Sequence, residues 1–204
     1  MPIFDQHKCI FVHIPKCAGT SISNVFSDGH PIFSTSNYDE FSLKYMKGRN
    51  LEHSTAKKIR LLAPFRFRRY FKFAFVRNPF DRMVSEYKWR KTWDDQMNEK
   101  SFSDMLKDIP VYRKQKKPHF FTAKSFLTDR RGNLIVDYIG KFENIDNDFE
   151  EIAKRIGIAK TLPKKNVTAS ESQKFSDYYD DETKQLVMRY FSEDFEYLSY
   201  STNI

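Results

Sequence analysis

The chain has 204 residues, of which 40% are hydrophobic and 30% charged, and its formal net charge is +8. These proportions are typical of a globular protein and exclude an intrinsically disordered chain. No apolar run approaches the roughly 18 residues of a membrane span, and two cysteines do not suggest a disulfide framework.

The first predicted elements are a strand, a short loop and a helix, within and just after residues 9–21, CIFVHIPKCAGTS. A strand that ends at a glycine-containing turn and restarts as a helix directs backbone N–H groups and the positive end of the helix dipole at one point. Lys16 adds a full positive charge there, and Thr20 and Ser21 add hydroxyl donors. The loop therefore predicts a binding site for a phosphate or sulfate group.

This loop differs from two common phosphate-binding patterns. In the Walker pattern the lysine follows the second glycine, whereas here Lys16 lies three residues before Gly19. A cysteine-based phosphatase loop needs an arginine six residues after its cysteine, and Ser23 occupies that position after Cys17. The alternative of a tight turn with a solvated lysine stays open at this point.

Positive charge is concentrated between residues 44 and 91, which contain fifteen Lys and Arg against three acidic residues. Such a field attracts a polyanionic ligand, although an ordinary solvated surface is the alternative. Aromatic and basic residues alternate in FRFRRYFK (65–72), which also raises single-stranded nucleic acid binding. We disfavour that interpretation because Phe71, Phe73 and Phe75 alternate as the buried face of a strand does.

A second strand–loop–helix unit is predicted within residues 72–91. The strand covers Phe73 to Val76, and Asn78 and Pro79 are suited to the cap and first turn of the helix. Arg77 stands at the end of the strand, and Ser85 lies on the helix. Because ligands of open α/β sheets bind beyond the carboxyl ends of the strands, we expect Arg77 and Ser85 to contact an anion.

The remaining segments alternate between predicted helices and strands, which favours a mainly parallel sheet covered by helices. Segments 110–132 and 159–177 are rich in Lys, Pro, Ser and Thr and are predicted to be long loops. The predicted helices are Ser54 to Leu62, Phe102 to Leu106, Asp146 to Ile156 and Asp181 to Phe191, and the predicted strand is Leu134 to Ile139.

Together these segments resemble a known family, the sulfotransferases that use 3′-phosphoadenosine 5′-phosphosulfate (PAPS), and in particular the carbohydrate sulfotransferase branch, of the bacterial, family 2-like type. HIPKCAGTS is similar to the loop that binds the 5′-phosphosulfate, and FVRNPFDRMVSEY to the motif that binds the 3′-phosphate. The resemblance extends from about residue 10 to about residue 197. Its later blocks are LEHSTAKKIR (51–60), GNLIVDYIGKFENIDNDFEEI (132–152), LPKKN (162–166) and YYDDETKQLV (178–187).

The resemblance implies roles for individual residues. The donor-binding residues would be Lys16, Cys17, Ala18, Gly19, Thr20, Ser21, Arg77 and Ser85. Lys16 would also act in catalysis, and His53 corresponds to the catalytic histidine of related carbohydrate sulfotransferases. A histidine suits a general base at neutral pH, since its ordinary pKa is about 6.5.

Other residues have less defined roles. Cys17 stands where relatives often have threonine, so the backbone N–H is expected to carry its contact with the donor. His13 is expected to orient other groups, and His119 is a candidate for substrate contact. Glu143 is expected to be a buried charge partner rather than a second base. The roles of Lys164 and Lys165 are left open.

We therefore expect one α/β domain over residues 1–204, with a mainly parallel central sheet, helices on both faces and a P-loop-like sulfotransferase fold. The expected function is transfer of the sulfuryl group of PAPS to a hydroxyl of a carbohydrate by in-line displacement with a histidine general base. It is expected to take place in the cytoplasm, without a metal, a nucleic acid partner or a membrane span. The alternatives are a nucleotide-dependent phosphotransferase and a non-enzymatic binder of a polyanion such as RNA.

Overall fold

The computed structural model describes residues 3–26, 52–159, 161–162 and 174–204. These residues divide into two compact units. The first unit comprises the described residues of 1–76 and 125–165, and the second those of 77–124 and 166–204. The expectation of one domain over the whole chain stays a prediction.

Within the described residues the chain forms four strands and ten α-helices. The strands are β1 (Ile3–Phe4), β2 (Cys9–Val12), β3 (Phe71–Val76) and β4 (Tyr138–Lys141). The helices are α1 (Gly19–Phe26), α2 (Ala56–Leu62), α3 (Pro64–Arg69), α4 (Pro79–Arg90), α5 (Phe102–Lys107), α6 (Ile109–Lys114), α7 (Ala123–Leu127), α8 (Ile145–Ile156), α9 (Asp181–Tyr190) and α10 (Ser192–Tyr197). In the part of the chain that is described, no helix is both long and apolar enough to cross a membrane.

The first unit is built on a four-stranded sheet in the order β1-β2-β3-β4. β1 runs antiparallel to β2, and β2, β3 and β4 run parallel, with Val12 opposite Ala74 and Ala74 opposite Ile139. Both faces of β3 are buried, since Phe73 and Phe75 on one face and Ala74 and Val76 on the other have no exposed surface. The predicted α/β fold with a mainly parallel sheet is confirmed.

Aromatic side chains fix α1 and α8 against one face of this sheet. The Phe11 and Phe73 rings of adjacent strands stack with centroids 5.2 Å apart. Phe26 of α1 lies 5.8 Å from Phe73 and 6.1 Å from Phe149 of α8, measured between ring centroids. These contacts hold α1, and with it the loop that precedes it, in a defined position on β2 and β3.

Short-range signals set the helix ends as the sequence predicts. The Thr55 hydroxyl caps α2 by accepting the Lys58 N–H at 3.3 Å. The Asn78 side chain caps α4 by accepting the Phe80 N–H at 2.9 Å. Gly157 ends α8 in the left-handed conformation, with φ 76°.

The last strand begins later than its apolar pattern predicts. The expected strand from Leu134 to Ile139 is wrong, because β4 is Tyr138–Lys141. Leu134 instead pairs with Thr128 across the turn between them. Asp137, the residue before β4, accepts the Lys72 N–H at 2.7 Å and lies 2.8 Å from its ammonium group. The apolar run is therefore divided between a local hairpin and the central sheet.

The predicted loop over 110–132 is also largely wrong. This segment contains most of α6, a 3-10 turn at Pro118–Phe120 and α7. Pro110 and Pro118 occupy the first turns of their helical elements, where the missing N–H has no cost. In the predicted loop over 159–177, residues 160 and 163–173 lie outside the described part, and Phe175–Tyr178 forms a 3-10 turn.

The second unit has its own core, formed where α4, α5 and α9 pack together. Buried members of this core include Phe80, Met83, Met105, Leu106, Ile109, Phe120, Val187 and Phe191. A buried ion pair crosses the unit, with Arg82 Nη1 3.5 Å from Asp194 Oδ2. Burial raises the pKa of Asp194, although the Arg82 charge and N–H bonds from Lys124 and Ala123 oppose the shift.

Candidate active site

The loop between β2 and α1 has the geometry of an anion cradle. β2 ends at Val12 and α1 begins at Gly19, with its first backbone bond from the Ile22 N–H to the Ala18 carbonyl at 3.1 Å. The N–H groups of Gly19, Thr20 and Ser21 therefore have no acceptor within the helix. Thr20 is exposed and no acidic residue stands in the first turn of α1. The positive end of the helix is thus open to an anion.

Two non-glycine residues of this loop adopt the left-handed conformation, Lys16 with φ 66° and Ala18 with φ 59°. Each such residue costs about 1–3 kcal/mol, and strain of this kind is concentrated at functional sites. The intervening Cys17 is fully buried, with its Sγ 3.5 Å from the Pro15 carbonyl oxygen. Since its thiol faces the interior, only the backbone of Cys17 is available to a ligand at the surface of the loop.

Gly19 is required because the ring of His13 lies directly against it. A Cβ atom at residue 19 would be 1.7 Å from Nε2 of His13, far inside contact distance. His13 is only 5% exposed and its ring stacks on Phe11 at 5.4 Å. The buried imidazole of His13 therefore packs directly against the first residue of α1.

The same histidine contacts His53, the predicted general base. The two rings are 4.5 Å apart, and Nδ1 of His53 lies 3.1 Å from the His13 carbonyl oxygen. A carbonyl can only accept, so Nδ1 carries the hydrogen of this bond and the lone pair of neutral His53 lies on Nε2. His53 is held in the tautomer that a base acting through Nε2 requires.

Glu52 completes this cluster, and sequence reasoning did not single it out. Its Oε1 lies 3.5 Å from Nδ1 of His13 and 4.0 Å from Nε2 of His53. A carboxylate at this distance stabilises the positive charge that His53 acquires when it accepts a proton. The only available signal was its position directly before His53 in LEHST.

The cluster also offers three possible metal ligands, one each from His13, Glu52 and His53, within 4.8 Å of one another. Ligands of a tetrahedral zinc site, bound at about 2.0 Å, lie only about 3.3 Å apart. The cluster as it stands is wider than such a site, and its hydrogen-bonded tautomer suits proton transfer. The expectation that the enzyme uses no metal stays a prediction.

The second predicted anion site lies in the second unit. The Arg77 guanidinium makes a two-point bond to Asp81, with Nε and Nη2 donating at 2.7 and 2.9 Å. Asp81 and Ser85 are four residues apart on α4, so they share one face of the helix. Asp81, another residue that the sequence did not reveal, orients the Arg77 guanidinium through these two bonds.

The other candidate residues are His119, Glu143, Lys164 and Lys165. His119 belongs to the second unit, where Nδ1 lies 2.7 Å from Oε2 of the buried Glu86 and the ring stacks on Trp89 at 4.9 Å. Glu143 is exposed, so the expectation of a buried charge partner is wrong. Lys164 and Lys165 lie outside the described residues.

A mainly parallel sheet, a basic strand–loop–helix turn and an adjacent imidazole are the arrangement expected of an α/β enzyme that binds a phosphate or sulfate ester. The model of the sulfotransferase family matches residues 1–201. The chain belongs to this family and is a sulfotransferase. An uncharacterized protein of Archaeoglobus fulgidus is 33% identical over 104 residues, which are 50% of this chain and 80% of that protein. No solved structure matches the chain significantly.

Proposed function

We propose that the enzyme transfers the sulfuryl group of PAPS to a hydroxyl group of a carbohydrate. The observation that carries this proposal is the contiguous arrangement of Gly19, His13, His53 and Glu52, which joins an anion-binding turn to an oriented base. A phosphosulfate donor needs the anion-binding turn, and a hydroxyl acceptor needs the oriented base.

The donor would bind through the loop. Lys16 and the N–H groups of residues 17–21 would hold the 5′-phosphosulfate and stabilise the charge that develops on the leaving phosphate oxygen. Arg77 and Ser85 would bind the 3′-phosphate, which ATP lacks. Arginine is suited to this task because its planar fork binds two phosphate oxygens.

The acceptor oxygen would then attack sulfur in line with the departing phosphate. The new O–S bond forms as the bond between sulfur and the bridging oxygen breaks, and 3′-phosphoadenosine 5′-phosphate (PAP) leaves. Nε2 of His53 takes the proton of the acceptor hydroxyl, and Glu52 stabilises the resulting imidazolium. Positioning of both substrates supplies much of the acceleration, as in phosphoryl transfer.

We also propose a cytoplasmic location. Both cysteines of the chain, Cys9 and Cys17, are buried, and burial raises the pKa of the Cys9 thiol to about 12. Two buried cysteines with no disulfide framework fit a reducing compartment.

A thermal-shift series tests the donor assignment. PAP at 100 times its dissociation constant adds about 2.7 kcal/mol of stability, which raises Tm by about 5–10 °C in a chain of this size. Lys16→Ala should lose this shift, and Lys154→Ala, which removes an exposed lysine on α8, should keep it. Stabilisation by ATP with Mg²⁺ but not by PAP would instead indicate a phosphotransferase, and stabilisation by RNA alone a polyanion binder.

A further inference from the structure

The helices α2 and α3 of the first unit present an outer surface that the proposed function does not use. Their inward side is apolar and buried, with residues spaced three or four apart: Ala56, Ile59, Ala63 and Phe67. The other side faces water. We call its exposed residues the α2–α3 surface; they are Lys57, Lys58, Arg60, Leu61, Pro64, Phe65, Arg68 and Arg69.

Two large apolar side chains stand on this surface. Leu61 is 79% exposed and Phe65 82%, the highest values among the exposed large hydrophobic side chains of the described residues. A single exposed leucine is ordinary on a protein surface. These two are four residues apart, so their Cα atoms are separated by at most about 14 Å. An apolar pair this exposed indicates a surface that a partner covers.

The charges around the apolar pair have one sign. Residues 56–69 contain six Lys and Arg and no Asp or Glu. Leu61 lines a cleft together with Arg130 and Arg131, so basic side chains of a second segment lie beside it. Asp129, the one carboxylate of that lining, accepts the backbone N–H of Arg131 at 2.8 Å. The surface therefore has a positive field that attracts anions.

Several of these cations have no carboxylate partner in the part of the chain that the structure describes. Lys57, Arg68 and Arg69 are exposed and form no ion pair there. Arg66, on the same helix as Arg68, is instead held by Asp5 at 2.8 Å. The outermost cations can therefore bind an external anion without breaking an internal pair.

We infer that the α2–α3 surface docks the enzyme on an anionic lipid membrane. The Lys and Arg side chains would bind headgroup phosphates and carboxylates, and Leu61 and Phe65 would enter the boundary between headgroups and acyl chains. Apolar side chains next to basic ones are typical of helices that lie in this boundary. Each basic residue near an anionic membrane strengthens the binding. The inference depends neither on PAPS nor on the acceptor.

Two other partners fit this surface less well. A symmetric pairing of two copies through it would place six cations of one chain opposite six of the other, which is repulsive. Single-stranded RNA binds by stacking successive bases on aromatic rings. Within residues 56–69 Phe65 is exposed but Phe67 is buried, so these helices offer one stacking position only.

The test measures co-sedimentation with vesicles of phosphatidylcholine alone and of phosphatidylcholine mixed with phosphatidylserine. One variant removes the apolar pair, Leu61→Gln with Phe65→Gln, and a second removes two charges, Arg68→Gln with Arg69→Gln. The matched controls change exposed residues elsewhere in the same way; they are Val111→Gln with Leu134→Gln, and Lys114→Gln with Lys154→Gln.

The parent protein should bind the mixed vesicles and not those of phosphatidylcholine alone, and added salt should weaken the binding because it screens surface charges. Each of the two surface variants should bind at least about tenfold more weakly, the factor expected when two basic contacts or two apolar insertions are lost. Each control should change by less than about threefold, since its residues lie outside the docking surface.

Failure of the parent protein to bind the mixed vesicles would overturn the inference, and so would equal weakening in the surface variants and their controls. Binding of a uridine-rich RNA that the apolar variant loses while it keeps vesicle binding would assign the surface to nucleic acid instead. PAP melting curves of all variants report the fold and the donor site separately. Loss of vesicle binding with an unchanged PAP-induced rise in Tm would therefore locate the defect at the α2–α3 surface.

Discussion

Replacing Gly19 by alanine is the sharpest local test of the site. The added Cβ would lie 1.7 Å from Nε2 of His13, whereas ordinary van der Waals contact begins at 3.4 Å. The His13 ring would therefore have to move away until this distance has doubled. It has little room, because it is 5% exposed, stacked on Phe11 and in contact with His53. Overpacking of this kind costs about 1–3 kcal/mol.

For a chain of this length, each kcal/mol lowers Tm by about 2–4 °C. Gly19→Ala should therefore melt several degrees lower in differential scanning calorimetry and should lose turnover, because His13 carries the carbonyl that orients His53. Thr20→Ala, at an exposed position of the same turn, should keep the parent Tm. A Gly19→Ala protein with unchanged Tm and unchanged turnover would refute the packing of His13 against the loop.

Three further predictions concern single side chains. Burial opposes ionisation of Glu86, but hydrogen bonds from His119 and Arg90 outweigh it and lower the pKa of this carboxyl in the folded protein. Its contribution to the free energy of unfolding is therefore fully present above the ordinary carboxyl pKa and is lost as the pH falls through the lowered pKa. In urea titrations Glu86→Gln should cost about 3 kcal/mol at pH 7 and less under acid; a pH-independent difference would contradict this. Glu52→Gln should lower kcat by about tenfold with KM for PAPS unchanged; a raised KM alone would remove Glu52 from proton transfer. By calorimetric titration, Arg77→Lys should weaken PAP binding by about tenfold and spare adenosine 5′-phosphate; equal losses would move the 3′-phosphate site elsewhere.

Local chemistry made much of the fold predictable. Pro79 after Asn78, and Gly157 after an apolar helical pattern, mark helix ends through interactions within a few residues. The alternation of Phe71, Phe73 and Phe75 likewise identified β3. By contrast, Pro118 is compatible with both a loop and a helical first turn, and only packing decides between them.

The site was less predictable than the fold. The loop residues are contiguous, so their grouping could be read directly from the sequence. The contact between His13 and His53 joins residues 40 apart, and no local pattern specifies it. The proposed role of Glu52 depends on the same tertiary contact, which places both imidazoles beside its carboxylate. The prediction of where β4 starts failed for the same reason. Asp137, the residue before β4, accepts a hydrogen bond from Lys72 of β3, which is 65 residues away in the sequence.

The most direct test of the proposed chemistry is a transfer assay with two labelled donors. The enzyme is incubated with ³⁵S-labelled PAPS or γ-³²P-labelled ATP and a pool of acidic and neutral oligosaccharides, and label in the oligosaccharide fraction is counted after the nucleotides are removed. We predict that ³⁵S enters this fraction with stoichiometric release of PAP, that ³²P does not, and that His53→Ala abolishes the transfer while it retains the PAP-induced rise in Tm. Transfer of ³²P without ³⁵S would contradict the proposal.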